Sequence, residues 1–258
     1  MILSRRVALG GVQLDEIDPW IVIRSIDPGV THETVSAVSR MGGFGQRMTG
    51  EHWDTLEVKV TFAIDIPKRE AARRKSVYDA AMAWAGRRGW LTVNYMTNRR
   101  FYVDKVIYPG SGDIWQWTDE YTLTFRAYNV PFWQEETPVQ ASHDTAASGR
   151  VWIQVGGTVR GVLDAVFQNE SGMEIPNFSI TAGGSSIVLT NIGLGGSETL
   201  QISHGTDGLL RITAGGRSVY DRRTGSDDLY VNPGAVAVDF SATRAGRLTV
   251  MSYGRFIA

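Results

Sequence analysis

Four histidines, His32, His52, His143 and His204, are the chain's only imidazoles. No two of them stand in the His-x-x-x-His spacing that would set two metal ligands on one helix face. There is no cysteine, so thiolate nucleophiles, disulfides and zinc–sulfur sites are excluded. Gly193-Leu194-Gly195-Gly196-Ser197-Glu198 is rich enough in glycine to cradle a phosphate. It lacks the Lys-Ser/Thr ending of a phosphate loop and no helical pattern follows it, so it reads as a tight hairpin. Ser197 is not in a nucleophile elbow. Glu135-Glu136 and Asp227-Asp228 are acidic pairs of the sort found on wet loops; glycoside hydrolysis needs two carboxyls at a fixed separation, which only three dimensions define. Trp152 and Tyr220 are candidates for stacking on a sugar ring, although core or rim positions are the commoner use of such residues. These residue types yield no catalytic site, no metal site and no cofactor, and the chain reads as a structural protein rather than an enzyme.

The elements that carry these residues are more informative. Trp115, Trp117, Tyr121, Leu123, Phe125 and Ala127 fall on one side of a two-residue period, with Asp119 the lone intruder. Gln116, Thr118, Glu120, Thr122, Thr124, Arg126 and Tyr128 fall on the other. A strand with one buried and one wet face requires this pattern, and Trp115–Ala127 would run roughly 40 Å. Leu56, Val58, Val60, Phe62 and Ile64 repeat it, opposed by Glu57, Lys59 and Thr61. Long half-wet strands suit a sheet that continues beyond one subunit.

Around these strands, Val7 to Ile26 reads as two short strands about a turn at Asp15–Pro19. Residues 27–52 read as a hairpin arm with Val35 and Val38 out of phase. One reading is a surface loop; the other is an arm whose tip, Met41-Gly42-Gly43-Phe44-Gly45, packs on a neighbouring subunit, where Met41 and Phe44 would find cover. Asp65-Ile66-Pro67 predicts a helix start, capped by Asp65 or a near neighbour. Val77, Ala80, Ala81 and Trp84 predict its apolar stripe, with Lys68, Arg69, Arg73, Arg74 and Lys75 facing water and Gly89 closing it. Glu70 and Asp79 interrupt the basic run, and no base-reading motif accompanies it, which argues against nucleic-acid binding. Leu91–Tyr95 and Phe101–Tyr108 predict a hairpin with a bulge at Asp104-Lys105. Trp84, Trp90, Trp115 and Trp117 are expected in the core between helix and sheet.

Beyond residue 133 the pattern changes. Residues 134–150 are small and polar and read as a linker. The stretch 134–258 holds 18 of the 29 glycines and one of the eight tryptophans, Trp152. Short strand patterns recur there at Val151–Val155, Phe178–Thr181, Ile187–Leu189, Leu200–Ile202, Leu209–Ile212, Val236–Phe240 and Leu248–Met251. No helix-length period interrupts them, which predicts an all-β sandwich. The expected fold is therefore an α+β domain, an antiparallel sheet with one covering helix, over 1–133, then a linker over 134–150 and an all-β sandwich over 151–258.

Composition adds limits. At 258 residues the chain suits one large domain or two ordinary ones. Its 26 basic and 27 acidic residues leave a net charge of −1, which gives no footprint for nucleic acid or anionic membrane. No run approaches the ~18 apolar residues of a membrane span. Met1 to Arg6 lacks the apolar run of a signal peptide, so synthesis in a cytoplasm is expected.

The sequence resembles the distal tail protein (Dit) family of long non-contractile-tailed phages. The residues that carry the resemblance are Trp53–Ile64 feeding the Pro67 helix, Leu91–Tyr95 with Phe101–Tyr108, and the long strand ending Arg126-Ala127-Tyr128. Towards the C-terminus they are Asn232-Pro233-Gly234, Val236–Phe240, Leu248-Thr249-Val250, and Tyr253 with Arg255. The resemblance implies a tail-tube-like domain at 1–133 and a galectin-like sandwich at 151–258. It also implies a homo-hexameric ring in the virion's tail tip, joining the tail tube protein to the tip hub. DNA meets such a ring only in transit, and the tape measure or a receptor-binding protein are further candidate partners. On that plan Glu57, Lys59, Thr61, Gln116, Thr118, Glu120, Thr122, Thr124 and Arg126 would line the channel. Residues 41–45 would clasp the next subunit. A glycan-binding adsorption module, or another tube or baseplate component, are the alternative readings.

Overall fold

Alternation of apolar and polar residues builds the first sheet. Leu56–Ile64 and Glu120–Ala127 pair antiparallel, Thr61 opposite Thr122 and Glu57 opposite Arg126. Leu56, Val58, Val60, Phe62, Tyr121, Leu123, Phe125 and Ala127 turn to one side and are each at most 1% exposed. Hiding each large side chain contributes roughly 1.5–3 kcal/mol, and a one-residue slip would expose the whole row, so register is fixed. Ile21–Asp27 flanks Leu56–Ile64, and Lys105–Ile107 flanks Glu120–Ala127, giving four strands.

The computed structural model describes residues 5–39, 46–109 and 119–257. The expected strand from Trp115 is thus described from Glu120 onward; Trp115, Gln116, Trp117 and Thr118 lie outside the described residues, as do Met41, Gly42, Gly43, Phe44 and Gly45. The chain divides into two compact units, Met1–Trp133 with Ile257–Ala258, and Gln134–Phe256.

In the first unit the helix runs Ala71–Ala85 and buries Arg74, Val77, Ala81, Trp84 and Ala85. Steps of three and four residues lay these on one stripe. Arg74 therefore corrects the expectation of a water-facing basic run. The predicted start is corrected too: Pro67 O accepts from Glu70 N at 2.9 Å in a turn ahead of the helix. Glu70 takes the N-cap without a side-chain bond, and Gly86, not Gly89, follows the last turn. A second sheet sets Val12–Gln13, Val7–Leu9, Gly89–Val93 and Arg99–Val103 side by side. Trp84 serves both sheets: its Nε1 donates to Val12 O at 2.8 Å, and its ring meets Phe125 edge-on at 5.9 Å. Trp90, expected in the core, is only half-buried and lies under the Arg100 guanidinium at 4.2 Å.

Two phase slips in the sequence have distinct causes. At Asp104 the chain does not bulge but leaves one sheet for the other, since Arg99–Val103 pairs with Gly89–Val93 while Lys105–Ile107 pairs with Glu120–Ala127. The Asp104 carboxylate pins this crossing by accepting from Tyr128 N at 2.7 Å and Asn129 N at 3.0 Å. In the arm, Glu33–Ser39 pairs with Gln46–Trp53, and the register shifts between Ser36 and Ala37, which accounts for the offset of Val35 and Val38.

The second unit is organised by two long antiparallel strands, Val139–Val155 and Gly234–Ser252. Near 248–252 the latter also pairs with Gly161–Asn169, which continues through Thr199–His204 and Leu210–Ala214 to Arg217–Ser218. Near 238–242 it pairs instead with Phe178–Ala182, followed by Ser185–Leu189 and Arg223–Gly225. The long strands thus turn a corner between two half-sheets, helped by register shifts between His143, Ala146 and Ser148. At the bend a Cβ on Gly246 would stand 2.4 Å from Gln168 O and from the Phe167 ring, so only glycine fits. Phe167 meets Phe178 at 5.0 Å and Phe240 at 6.0 Å across the shared core.

The reading of 134–150 as a linker is corrected: from Val139 it is strand. Its polar, small residues suit a strand bonded on one side to Gly234–Ser252 and half-covered on its faces. Gly161–Asn169, absent from the expected strands, is central, with Leu163, Ala165 and Phe167 at most 1% exposed.

Candidate functional site

The wet face of the four-stranded sheet gathers the described residues singled out in the sequence. Cross-strand partners share a face, so Thr61 with Thr122, Lys59 with Thr124, and Glu57 with Arg126 form three successive rungs. The Thr61 and Thr122 hydroxyls are 3.0 Å apart. Arg126 Nη2 lies 2.5 Å from Glu57 Oε1, and Nη1 donates to the Tyr128 hydroxyl at 3.3 Å. Glu120 projects from the same face at the strand's start. The flanking strands add Ser25 opposite Thr61, Asp27 opposite Lys59, and Lys105 opposite Arg126.

Chemically this surface is quiet. Asp27, Glu57 and Glu120 offset Lys59, Lys105 and Arg126, with threonine hydroxyls between them. Among the described residues no histidine lies on this face. The face can hold water and exchange hydrogen bonds, and its opposed charges cancel at short range instead of projecting one sign.

A cleft of about 720 Å³ elsewhere in this unit is lined by Trp20, Arg24, Lys68, Glu70, Arg73, Arg74 and Asp119 among others. Its charges answer one another: Lys68 Nζ lies 3.2 Å from Asp119 and Arg73 Nη1 lies 3.5 Å from Glu70. Asp119, the intruder on the apolar side of the strand, is explained by this pairing. Arg74, 2% exposed, donates to Ile64 O at 3.1 Å, Ile66 O at 2.6 Å and the Tyr121 hydroxyl at 3.4 Å. It clamps the end of one strand to the helix. Burial pushes the Tyr121 phenol up, against the hydrogen bond from Arg74.

In the second unit a buried charge cluster was not foreseen. The His204 side chain, 5% exposed, sets Nδ1 2.6 Å from Asp164 Oδ1 and Nε2 2.5 Å from Asp228 Oδ1. Burial opposes its protonation, but hydrogen bonds and charge from both aspartates override this and raise its pKa to about 9. Asp164 also accepts from His204 N at 3.0 Å, and Asp228 from Leu229 N at 2.8 Å. Burial pushes the Arg255 guanidinium down, with Asp228 and Asp164 opposing that. Two cations and two carboxylates therefore neutralise one another. The imidazole is committed on both nitrogens and has no lone pair to offer as a base. One signal was available: His204 falls in phase with the buried Leu200 and Ile202, where a polar ring demands partners. No group of three or more histidine or acidic residues suited to a metal ion occurs among the described residues.

Trp152 and Tyr220, expected in the core or at its rim, are both at the surface, 62% and 43% exposed. Tyr220 is covered on one side by the Arg223 guanidinium at 4.8 Å.

No protein-family model matches the chain, and no curated protein matches it. Among solved structures, the chain is similar to the SPP1 Dit (gp 19.1) protein, described as a paradigm of the hub adsorption apparatus in phages that infect Gram-positive bacteria. The TM-score is 0.66 at 12% identity, over 96% of this chain and 98% of that one. The phage P2 baseplate in its activated conformation gives a TM-score of 0.48 at 8% identity, over 98% of each chain. The chain has the fold of a phage distal tail protein.

Proposed function

We propose that a chain with this fold serves as a structural part of a phage tail tip, six copies closing into a ring that joins the tail tube to the tip hub. The observation that carries the reading is the largely polar face of the four-stranded sheet, interrupted by Ile107 and Ala63, backed by fully buried rows and set in a fold shared along nearly the whole chain with the SPP1 protein. In the ring Glu57, Lys59, Thr61, Gln116, Thr118, Glu120, Thr122, Thr124 and Arg126 line a water-filled bore. Opposed charges and hydroxyls give passing DNA few lasting phosphate contacts, whereas a basic lining would grip it. The outer strands Ile21–Asp27 and Lys105–Ile107 meet their counterparts in adjoining copies, which protects those edges from aggregation. The tip of the arm, Met41 to Gly45, packs on the neighbour. Residues 1–133 act as the tube-like, ring-forming domain, and the second unit, a galectin-like sandwich, faces the hub or a receptor-binding protein.

The purified chain, imaged by electron microscopy and weighed by native mass spectrometry, is expected to give a hollow annulus of six copies. Monomers alone at tens of micromolar, or a particle without a bore, overturn the reading. Lysine at Thr61, Thr122 and Thr124 is expected to leave the ring intact and slow genome release from particles that carry it. Unchanged release would remove these residues from the bore.

A further inference from the structure

We propose that the outer face of the second unit's sheet around Trp152 binds a neutral polysaccharide, lying lengthwise along the strands. Three rungs make the site. Val151, Ile153 and Val155 are buried, so Arg150, Trp152 and Gln154 point outward. Trp152 stands opposite Ala237, whose small side chain leaves the indole face uncovered. On the next rung Arg150 grips Asp239 with two bonds, Nε to Oδ1 at 2.7 Å and Nη2 to Oδ2 at 2.9 Å, and Thr181 lies beyond Asp239. Ser148, Ser241 and Ser179 form the third rung. There a depression of about 230 Å³ opens, lined by Ser179, Val188, Ser241 and Thr243 among others. Four residues along a strand separate Trp152 from this depression, roughly 13 Å, which is the reach of a short oligosaccharide.

The chemistry matches a sugar chain better than the other candidates. An indole offers a flat apolar platform for the C–H face of a pyranose, while fixed hydroxyl, carboxylate and guanidinium groups serve its ring hydroxyls. Arg150 and Asp239 are held by each other, so their spare lone pairs and N–H groups are presented without further ordering cost. The Arg150 hydrogen bonds hold the Asp239 carboxyl below its usual range, keeping it an acceptor. Their charges cancel, so the face selects neither an anionic nor a cationic ligand. A protein hot spot would surround its tryptophan with apolar packing; here its neighbours on the face are Arg150, Gln154, Asp239 and two alanines, Ala235 and Ala237. The inference stands whether or not the chain forms a ring.

The test is the full-length chain on an array of neutral hexose and N-acetylhexosamine oligosaccharides of increasing length, with hits titrated in solution. At least one such glycan is expected to be retained, longer members more tightly than short ones. Trp152→Ala is expected to weaken it at least tenfold, Arg150→Gln severalfold, and Trp152→Tyr to keep most of the binding. Because Trp152 is exposed, the circular dichroism of Trp152→Ala should match the parent. No retained glycan, or equal binding by Trp152→Ala, overturns the proposal. Loss of a protein partner on Trp152→Ala without any glycan retained overturns it in favour of a protein-docking face. Oligomeric state is read from the same samples, so a failed ring and a failed glycan site are told apart.

Discussion

Each unit holds a charged side chain in its interior, and Arg74 in the first and His204 in the second are solvated in opposite ways. In the first, Arg74 gives its N–H groups largely to uncharged acceptors, the carbonyls of Ile64 and Ile66 and the Tyr121 hydroxyl. In the second, His204 sits between two carboxylates. A guanidinium is a cation at every pH at which proteins fold, so the first arrangement is indifferent to acidity. An imidazolium can lose its proton, so the second ties the stability of its unit to pH. The sheet of the first unit is built to stay the same; the second carries a titratable rivet.

Removing the rivet should have the largest effect. His204→Ala leaves Asp164 and Asp228 buried without the imidazolium between them, with Arg255 alone to offset two carboxylates, which should cost the second unit about 3–5 kcal/mol. Hydrogen-exchange mass spectrometry can read this in peptides of 161–169 and 199–204, with peptides of 56–64 unchanged. Equal loosening of both units would break the comparison. Next is pH itself. The His204 pKa is raised in the folded state to about 9 from its ordinary 6.5. Its contribution is therefore fully present below about pH 6.5, declines as pH rises, and is gone above about pH 9. The loss should reach roughly 3 kcal/mol. Urea unfolding followed at pH 6, 8 and 10 should show the second unit weakening and the first holding.

Arg74→Met should come third. It frees two buried carbonyls while keeping the stem's packing, at about 2–3 kcal/mol, confined to the first unit and independent of pH. A pH-dependent loss would show that the Asp119 carboxylate, 3.9 Å away, matters more than the carbonyls. Smallest is the pair Thr61→Val and Thr122→Val on the wet face. It should change stability by under ~0.5 kcal/mol, because those side chains meet water and each other and not the core.

What the sequence made legible follows from the same contrast. Strand parity was reliable wherever one face is fully buried: it placed Val58, Phe62, Leu123 and Phe125 inward and Lys59, Thr122 and Thr124 outward. Arg74 shows where residue type misled. Its position three before Val77 and seven before Ala81 put it on the buried stripe, but its charge argued for water. Position won because the end of a strand supplied carbonyls. The same conflict hid His204, whose partners lie on elements distant in sequence. The strand Gly161–Asn169 escaped notice because glycine, alanine and an aspartate dilute its alternation. Residues 139–150 looked like a linker because a strand bonded along one edge needs few large apolar residues. The proposed pore and arm contacts would depend on further copies of the chain, which no single sequence displays.

Val139 lies directly across the ladder from Ser252, at the ~5 Å spacing of neighbouring strands. The polypeptide thus goes into the second unit and comes out of it through a single doorway. Whatever is built between those two thresholds can grow, shrink or be exchanged without changing the gap the flanking chain must bridge, the condition under which insertions are best tolerated.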